Sequence, residues 1–311
     1  MAFNIRNARP APFRASNYIL TDEVKAAVET AIALGQPLLV TGAPGTGKTE
    51  LAYKVAADLA ADNNKHGLNF GNEPLQFNTK TTSEARDLFY TYDALGHFRA
   101  ANLKDQGVDA KVENYLQLQA LGLAIARSKT GAAPANALNG ESYEGASSVV
   151  LIDEIDKAPR DLPNDLLNEI KHNRFEIREQ GNRSLTAGQD RSIVVIMTSN
   201  SEKNLPNAFL RRCVFHHIEL PDEATLLKIA RAQIREDHGF KDQELQDLIG
   251  RFTQVQGMDL RKKPSTAEMI AWLRMISVLG PDGDVNQQGL NNLSLLVKTE
   301  EDRRKIKERF G

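Results

Sequence analysis

Gly42-Ala43-Pro44-Gly45-Thr46-Gly47-Lys48-Thr49 has the spacing of a phosphate-binding loop: a glycine, four residues, then Gly-Lys-Thr. The apolar run Pro37-Leu38-Leu39-Val40 precedes it, and Leu51, Ala52, Val55, Ala56 and Leu59 follow at helical spacing. Strand, glycine loop and helix in that order predict a nucleoside triphosphate site. Gly45 and Gly47 let the backbone curl so that successive N–H groups face an anion, and the helix adds the positive end of its dipole. Lys48 is expected to reach the β- and γ-phosphates, and the Thr49 hydroxyl to ligate Mg²⁺.

Upstream, residues 1–17 hold prolines and arginines without periodicity and read as an extended arm. Tyr18-Ile19-Leu20 follows, an apolar trio equally suited to holding an adenine or to filling core. Thr21-Asp22 starts a helix with Val24, Val28 and Ile32 on one face, and Gly35 ends it.

Downstream, Leu75 to Thr79 alternates like a strand. Thr81-Thr82-Ser83-Glu84 offers a capping box for a helix with Leu88, Phe89, Tyr92 and Leu95 inward. An insertion over about residues 96–147 is expected next, helical from Tyr115 to Arg127 and small and polar from Gly131 to Ser148. Such excursions are either functional or plain surface loops. Ser148 to Ile152 is continuously apolar, the mark of a strand buried on both faces of a parallel sheet. It ends in Asp153-Glu154, and ligands of open α/β sheets bind at that end of a strand. Asp153 is placed to hold Mg²⁺ and Glu154 to polarise an attacking water. Pro163 opens a helix, and Phe175-Glu176-Ile177 with Arg191-Ser192 suggests a hairpin. Ile193 to Met197 is a second buried strand, ending in Thr198-Ser199-Asn200, where Asn200 could orient the same water.

A fifth strand runs from Val214 to Leu220 behind Arg211-Arg212. His216 and His217 are adjacent in it, face opposite sides and read as structural. Beyond Pro221 the strands stop, and three helical stripes predict a small all-helical domain. The charged tail Glu300 to Phe310 reads as a solvated helix end. The expected architecture is therefore α/β. An arm (1–17) leads into a parallel-sheet nucleotide-binding domain (18–220), and a smaller helical lid domain (221–311) follows.

Of the 311 residues, 26% are charged and 41% hydrophobic, as in soluble globular proteins. A net charge of −2 argues against nucleic acid or an anionic membrane as partner. No apolar run reaches membrane-spanning length, and the first residues lack the apolar core of a signal peptide. The single cysteine, Cys213, is expected to pack as a small apolar residue in a reducing cytoplasm.

Over roughly residues 15–285 the chain resembles AAA+ ATPases, and among them the MoxR group. The superfamily shows in Gly-Ala-Pro-Gly-Thr-Gly-Lys-Thr-Glu-Leu-Ala (42–52) and Leu-Ile-Asp-Glu-Ile-Asp-Lys-Ala-Pro (151–159), and Thr-Ser-Asn-Ser (198–201) is a further part of the resemblance. The MoxR likeness rests on Ser-Glu-Ala-Arg-Asp-Leu (83–88) and Lys-Lys-Pro-Ser-Thr-Ala-Glu (262–268). The resemblance implies that residues 42–49 form the first Walker motif and Asp153 and Glu154 the second. Asn200 then matches sensor 1, and Arg211 and Arg212 fall where an arginine finger serves the neighbouring subunit of a ring, usually of six. The family topology places those arginines on the edge of the sheet far from the phosphate loop. Relatives carry a sensor 2 arginine where this chain has Ala267, and Lys262 or Lys263 would stand in for it. ATP and Mg²⁺ are the implied cofactors.

The implied activity is ATP-driven remodelling of a partner protein, often one with a von Willebrand factor A domain. A nucleic-acid-directed motor or helicase loader is the alternative, which the net charge disfavours. A nucleotide-gated scaffold with slow hydrolysis is a third, and the complete set of acidic and polar residues argues against it.

Overall fold

The computed structural model describes residues 13–102, 111–129, 145–201, 205–234, 240–279 and 292–310. Most of the expected arm, and residues 131–144 of the polar stretch, lie outside them. Among the described residues, one compact unit takes Thr21–Thr41 and Leu51–His217. The other takes the described residues of 1–20, 42–50 and 218–311.

In chain order the elements are α1 (Asp22–Leu34), β1 (Leu38–Gly42), α2 (Lys48–Ala61), α3 (Asn63–His66), β2 (Leu75–Asn78), β3 (Tyr90–Tyr92), α4 (Ala94–Asn102), β4 (Leu116–Leu118) and α5 (Ala120–Arg127). Then come β5 (Ser148–Asp153), α6 (Leu162–His172), β6 (Arg174–Ile177), β7 (Arg183–Thr186), β8 (Ile193–Ser199), α7 (Asn207–Leu210) and β9 (Val214–Ile218). Helices α8 (Glu223–Gln233), α9 (Asp242–Gln256), α10 (Thr266–Leu279) and α11 (Glu300–Phe310) complete the chain.

Five strands form one sheet in the order β2-β5-β8-β1-β9. The pairs β2–β5, β5–β8 and β8–β1 are parallel. Every residue of β1 is buried, as are the first five of β5 and the last six of β8, so both faces of the central strands are covered. The register sets Ile152 beside Met197 and Thr41 beside Ser199, which brings the C-terminal ends of β5, β8 and β1 side by side. No described helix is long and apolar enough to cross a membrane.

The segment expected to be helical around Leu88 to Leu95 folds otherwise. A 3-10 turn (Ala85–Leu88) leads into β3, which pairs antiparallel with β4 and sets Tyr90 against Leu118. The aromatic, β-branched run Phe89-Tyr90-Thr91-Tyr92 suits a strand, and Tyr90 is buried there. The capping box belongs to the turn, through Glu84 and Asp87. The helix expected from Tyr115 begins only at Ala120, because Leu116–Leu118 is spent on β4. In the second hairpin β6 pairs with β7, not with Arg191-Ser192, and Phe175 stacks on Phe89 with centroids 5.0 Å apart.

The tail is not a solvated helix end. Asp302 and Ile306 of α11 are fully buried, and Ile306 joins a core with Leu226, Leu248, Phe252, Trp272 and Leu273. An acid-and-base-rich helix reads as solvated on composition, yet one buried stripe is enough to dock it.

Candidate nucleotide site

The phosphate-loop half lies in the unit with the C-terminal helices. Gly42, Gly45 and Gly47 take φ of 149°, 74° and 91°, values L side chains rarely adopt. Each is also crowded. A Cβ on Gly42 would meet the Ile218 carbonyl oxygen at 2.6 Å, one on Gly45 the Ser265 Oγ at 2.6 Å, and one on Gly47 the Tyr18 ring at 3.2 Å. Lys48 is buried, and its Nζ donates to the carbonyls of Gly42 (3.0 Å) and Ala43 (2.9 Å), so the ammonium lies inside the curl of the loop. The Thr46 hydroxyl donates to the Ala43 carbonyl at 2.9 Å and tightens the turn. Lys48 and Thr49 open α2, and the N–H groups of a helix's first turn point out from its start. A curl of amides, a helix start and an inward ammonium fit a polyphosphate.

Ala267 of α10 and Ser265, just before that helix, reach this loop. The Ala267 N–H donates to the Gly45 carbonyl at 3.1 Å, while Lys262 and Lys263 are exposed on the preceding turn. Of the apolar trio, Tyr18 packs on Gly47, and burial, aided by the Glu50 carboxylate, pushes its phenol up.

The acidic residues lie in the other unit, at the C-terminal ends of β5 and β8. Thr198 organises them. Its hydroxyl donates to Asp153 Oδ1 at 2.5 Å and accepts the Glu154 N–H at 2.8 Å. Glu154 sits in the left-handed region (φ 57°, ψ 51°), which turns the chain sharply after the strand. Asn200 Nδ2 donates to Glu154 Oε1 over a long 3.5 Å, and the Asn200 N–H points to Asp156 Oδ1 at 3.4 Å. Lys157 pairs with Glu154 Oε2, and this bond above all raises the lysine's pKa. The sequence places Thr198 at a strand end and within Thr-Ser-Asn-Ser (198–201), but assigns it no role of its own. What could have singled it out is its hydroxyl on an otherwise apolar strand beside two acids.

A family model described as an AAA domain (dynein-related subfamily) matches residues 37–213, more than half of the chain. The chain belongs to this family. No curated protein matches it. Similar solved structures include a FIGL-1 AAA domain in complex with ADP, at 15% identity and a TM-score of 0.45, covering 93% of this chain and 88% of that one. Another is an E. coli MS115-1 HORMA:CdnC:Trip13 complex, at 13% identity and a TM-score of 0.47, covering 89% and 80%.

Two further features of this AAA domain bear on chemistry. Arg211 and Arg212 are exposed between α7 and β9. Strand β9 is an edge of the sheet, as expected, but it lies beside β1, the strand that leads into the loop, and not on the far edge. The Val214 N–H donates to the Pro37 carbonyl at 2.9 Å, which puts the arginines where β1 begins, at the opposite end of that strand from Thr41. Among the described residues no group of three or more His, Cys, Asp or Glu could hold a metal ion.

The remaining polar residues of β9 are structural. Thr41 Oγ1 and His217 Nδ1 lie 2.8 Å apart and tie β1 to β9, and burial lowers the pKa of His216. Cys213 is half-buried, and burial pushes its thiol up to about 12.

Proposed function

We propose that this AAA protein is a MoxR-like ATPase that hydrolyses ATP within a ring of its own subunits, most simply six, and uses the cycle to remodel a partner protein. The observation that carries the hydrolytic reading is the single Thr198 hydroxyl that fixes the Asp153 carboxylate and the Glu154 backbone N–H at once, while Asn200 Nδ2 and Lys157 hold the Glu154 carboxylate. A carboxylate meant only to cap a turn needs no such bracing, whereas a metal-binding acid and a general base must each be held in one orientation. Asp153 and Thr49 are the residues that would hold Mg²⁺, and Lys48 with the 42–49 backbone would carry the phosphates. Glu154 takes the proton of the attacking water, with Asn200 beside it to orient that water. Arg211 or Arg212 serves the neighbouring site, because a planar, permanently charged guanidinium suits charge developing on a transferred phosphoryl group. Bound Mg²⁺ supplies neutralisation of that charge. Partners with a von Willebrand factor A domain are the class to try first, and the setting is cytoplasmic.

The test is Glu154→Gln, which keeps shape and loses the base. ATP binding is expected to persist while turnover falls on the order of 10² to 10⁴-fold. Turnover within a factor of a few of wild type would move the base elsewhere, with Asp156 the next candidate. Wild-type ATPase assayed with candidate proteins, and separately with DNA and RNA, decides the partner class. Stimulation by nucleic acid alone would replace the protein-remodelling reading with that of a nucleic-acid-directed motor.

A further inference from the structure

Asp302 is fully buried, and a buried charge is costly unless it is hydrogen-bonded. It occupies the third position of α11, behind Thr299, whose hydroxyl accepts the Asp302 N–H at 3.1 Å. An acid at that position commonly turns back to cap its own helix. This one reaches a different segment. Its Oδ1 accepts the Arg261 N–H at 2.9 Å and its Oδ2 lies 3.4 Å from the Lys262 N–H. Burial works against the charge, but these bonds, the Thr299 hydroxyl and Lys305 outweigh it and hold the carboxyl below the usual range.

Other contacts converge on the same strip of chain. Arg261 Nε pairs with Glu301 at 2.9 Å, and Lys305 Nζ donates to the Asp259 carbonyl at 2.9 Å. Lys298 Nζ pairs with Glu268 at 3.0 Å, and Glu268 in turn accepts from the Ser265 N–H (2.8 Å) and hydroxyl (3.0 Å) at the cap of α10. Residues 298–305 thus grip both sides of the strip that ends in Ser265, Thr266 and Ala267. That strip is what presses on the phosphate loop, through Ala267 N–H to the Gly45 carbonyl and Ser265 over the Gly45 Cα.

We propose that Asp302 is a positioning residue for the nucleotide site: from α11 it sets the place of the α10 N-terminus and thereby the shape of the phosphate loop. The C-terminal helix then tunes nucleotide affinity without touching nucleotide. This rests on the reading of residues 42–49 as the nucleotide loop.

The experiment measures the affinity of the full-length protein for a fluorescent ATP analogue, and its melting temperature, for wild type, Lys48→Ala, Asp302→Asn, Lys298→Met and Ala267→Pro. Asparagine keeps the shape but puts an amide donor where one N–H needs an acceptor. Asp302→Asn is expected to weaken nucleotide binding by the folded protein roughly tenfold, the scale of losing a hydrogen bond to a charged group. Lys298→Met, at an exposed site, should shift affinity the same way with the fold intact, and it decides the matter if Asp302→Asn does not fold. Ala267→Pro removes the N–H that meets Gly45. Combined with Asp302→Asn it should weaken binding no more than Ala267→Pro alone, while the losses in melting temperature add.

Unchanged affinity in Asp302→Asn and Lys298→Met, with binding abolished in Lys48→Ala, would overturn the proposal and leave the nucleotide reading standing. Additive affinity losses in the double variant would also overturn it. Equal binding by wild type and Lys48→Ala would remove the nucleotide reading and the proposal with it.

Discussion

Thr198 gives its only proton to Asp153 and takes the Glu154 N–H on its oxygen, so one side chain sets two acids. Valine has the same branching and would fit the fully enclosed site, but it would strand the Glu154 N–H. Thr198→Val is expected to cost about 1–3 kcal/mol of stability, the range for a buried group left unsatisfied. Its larger effect should fall on kcat, with ATP affinity held within a few-fold, because the phosphate loop lies elsewhere in the sequence. Steady-state kinetics beside a direct binding titration check this. An equal loss in both would make Thr198 a general stabiliser of the strand ends. Walker-type residues were readable in the sequence because their chemistry is tied to fixed spacing. Thr198 was not, since a threonine in a strand is ordinary until its two partners are seen.

Among the elements, β1, β5 and β8 were legible because strands buried on both faces must be apolar throughout, and nothing local competes with that signal. Helices α8, α9 and α10 were legible from their apolar stripes. The stretch from Ala85 to Leu118 was not. Leu88, Phe89, Tyr92 and Leu95 satisfy helical spacing, but the contacts that decide for strand come from residues far along the chain. Gly122 is one of them. It lies in α5, where a Cβ would stand 2.0 Å from the Phe89 carbonyl oxygen. Backbone cannot yield as a flexible side chain can, so Gly122→Ala must push α5 away from the start of β3. A loss of about 1–3 kcal/mol is expected, the usual cost of overpacking. Chemical denaturation would read it as a lower midpoint. An unchanged or raised midpoint, as alanine's helix propensity alone would give, would mean that the approach is looser than described.

For the whole molecule, the issue is whether hydrolysis needs a second subunit. Arg211 and Arg212 sit where β1 starts, and the phosphate loop continues from the other end of that strand. Alanine at either finger position is expected to cut turnover by about 10³ to 10⁵-fold, as in other phosphoryl-transfer sites that use an arginine finger. Mixing that variant with Glu154→Gln should restore part of the activity, since a subunit with an intact Glu154 can take an arginine from its neighbour. Specific activity should also rise with protein concentration. No rescue and concentration-independent turnover would show that neither arginine acts between subunits. The chain's one tryptophan, Trp272, is buried in α10, the helix whose first turn meets Gly45. Its emission therefore reports the melting of the C-terminal helical unit alone, and set against far-ultraviolet dichroism it yields a separate optical melting curve for that half without any introduced label.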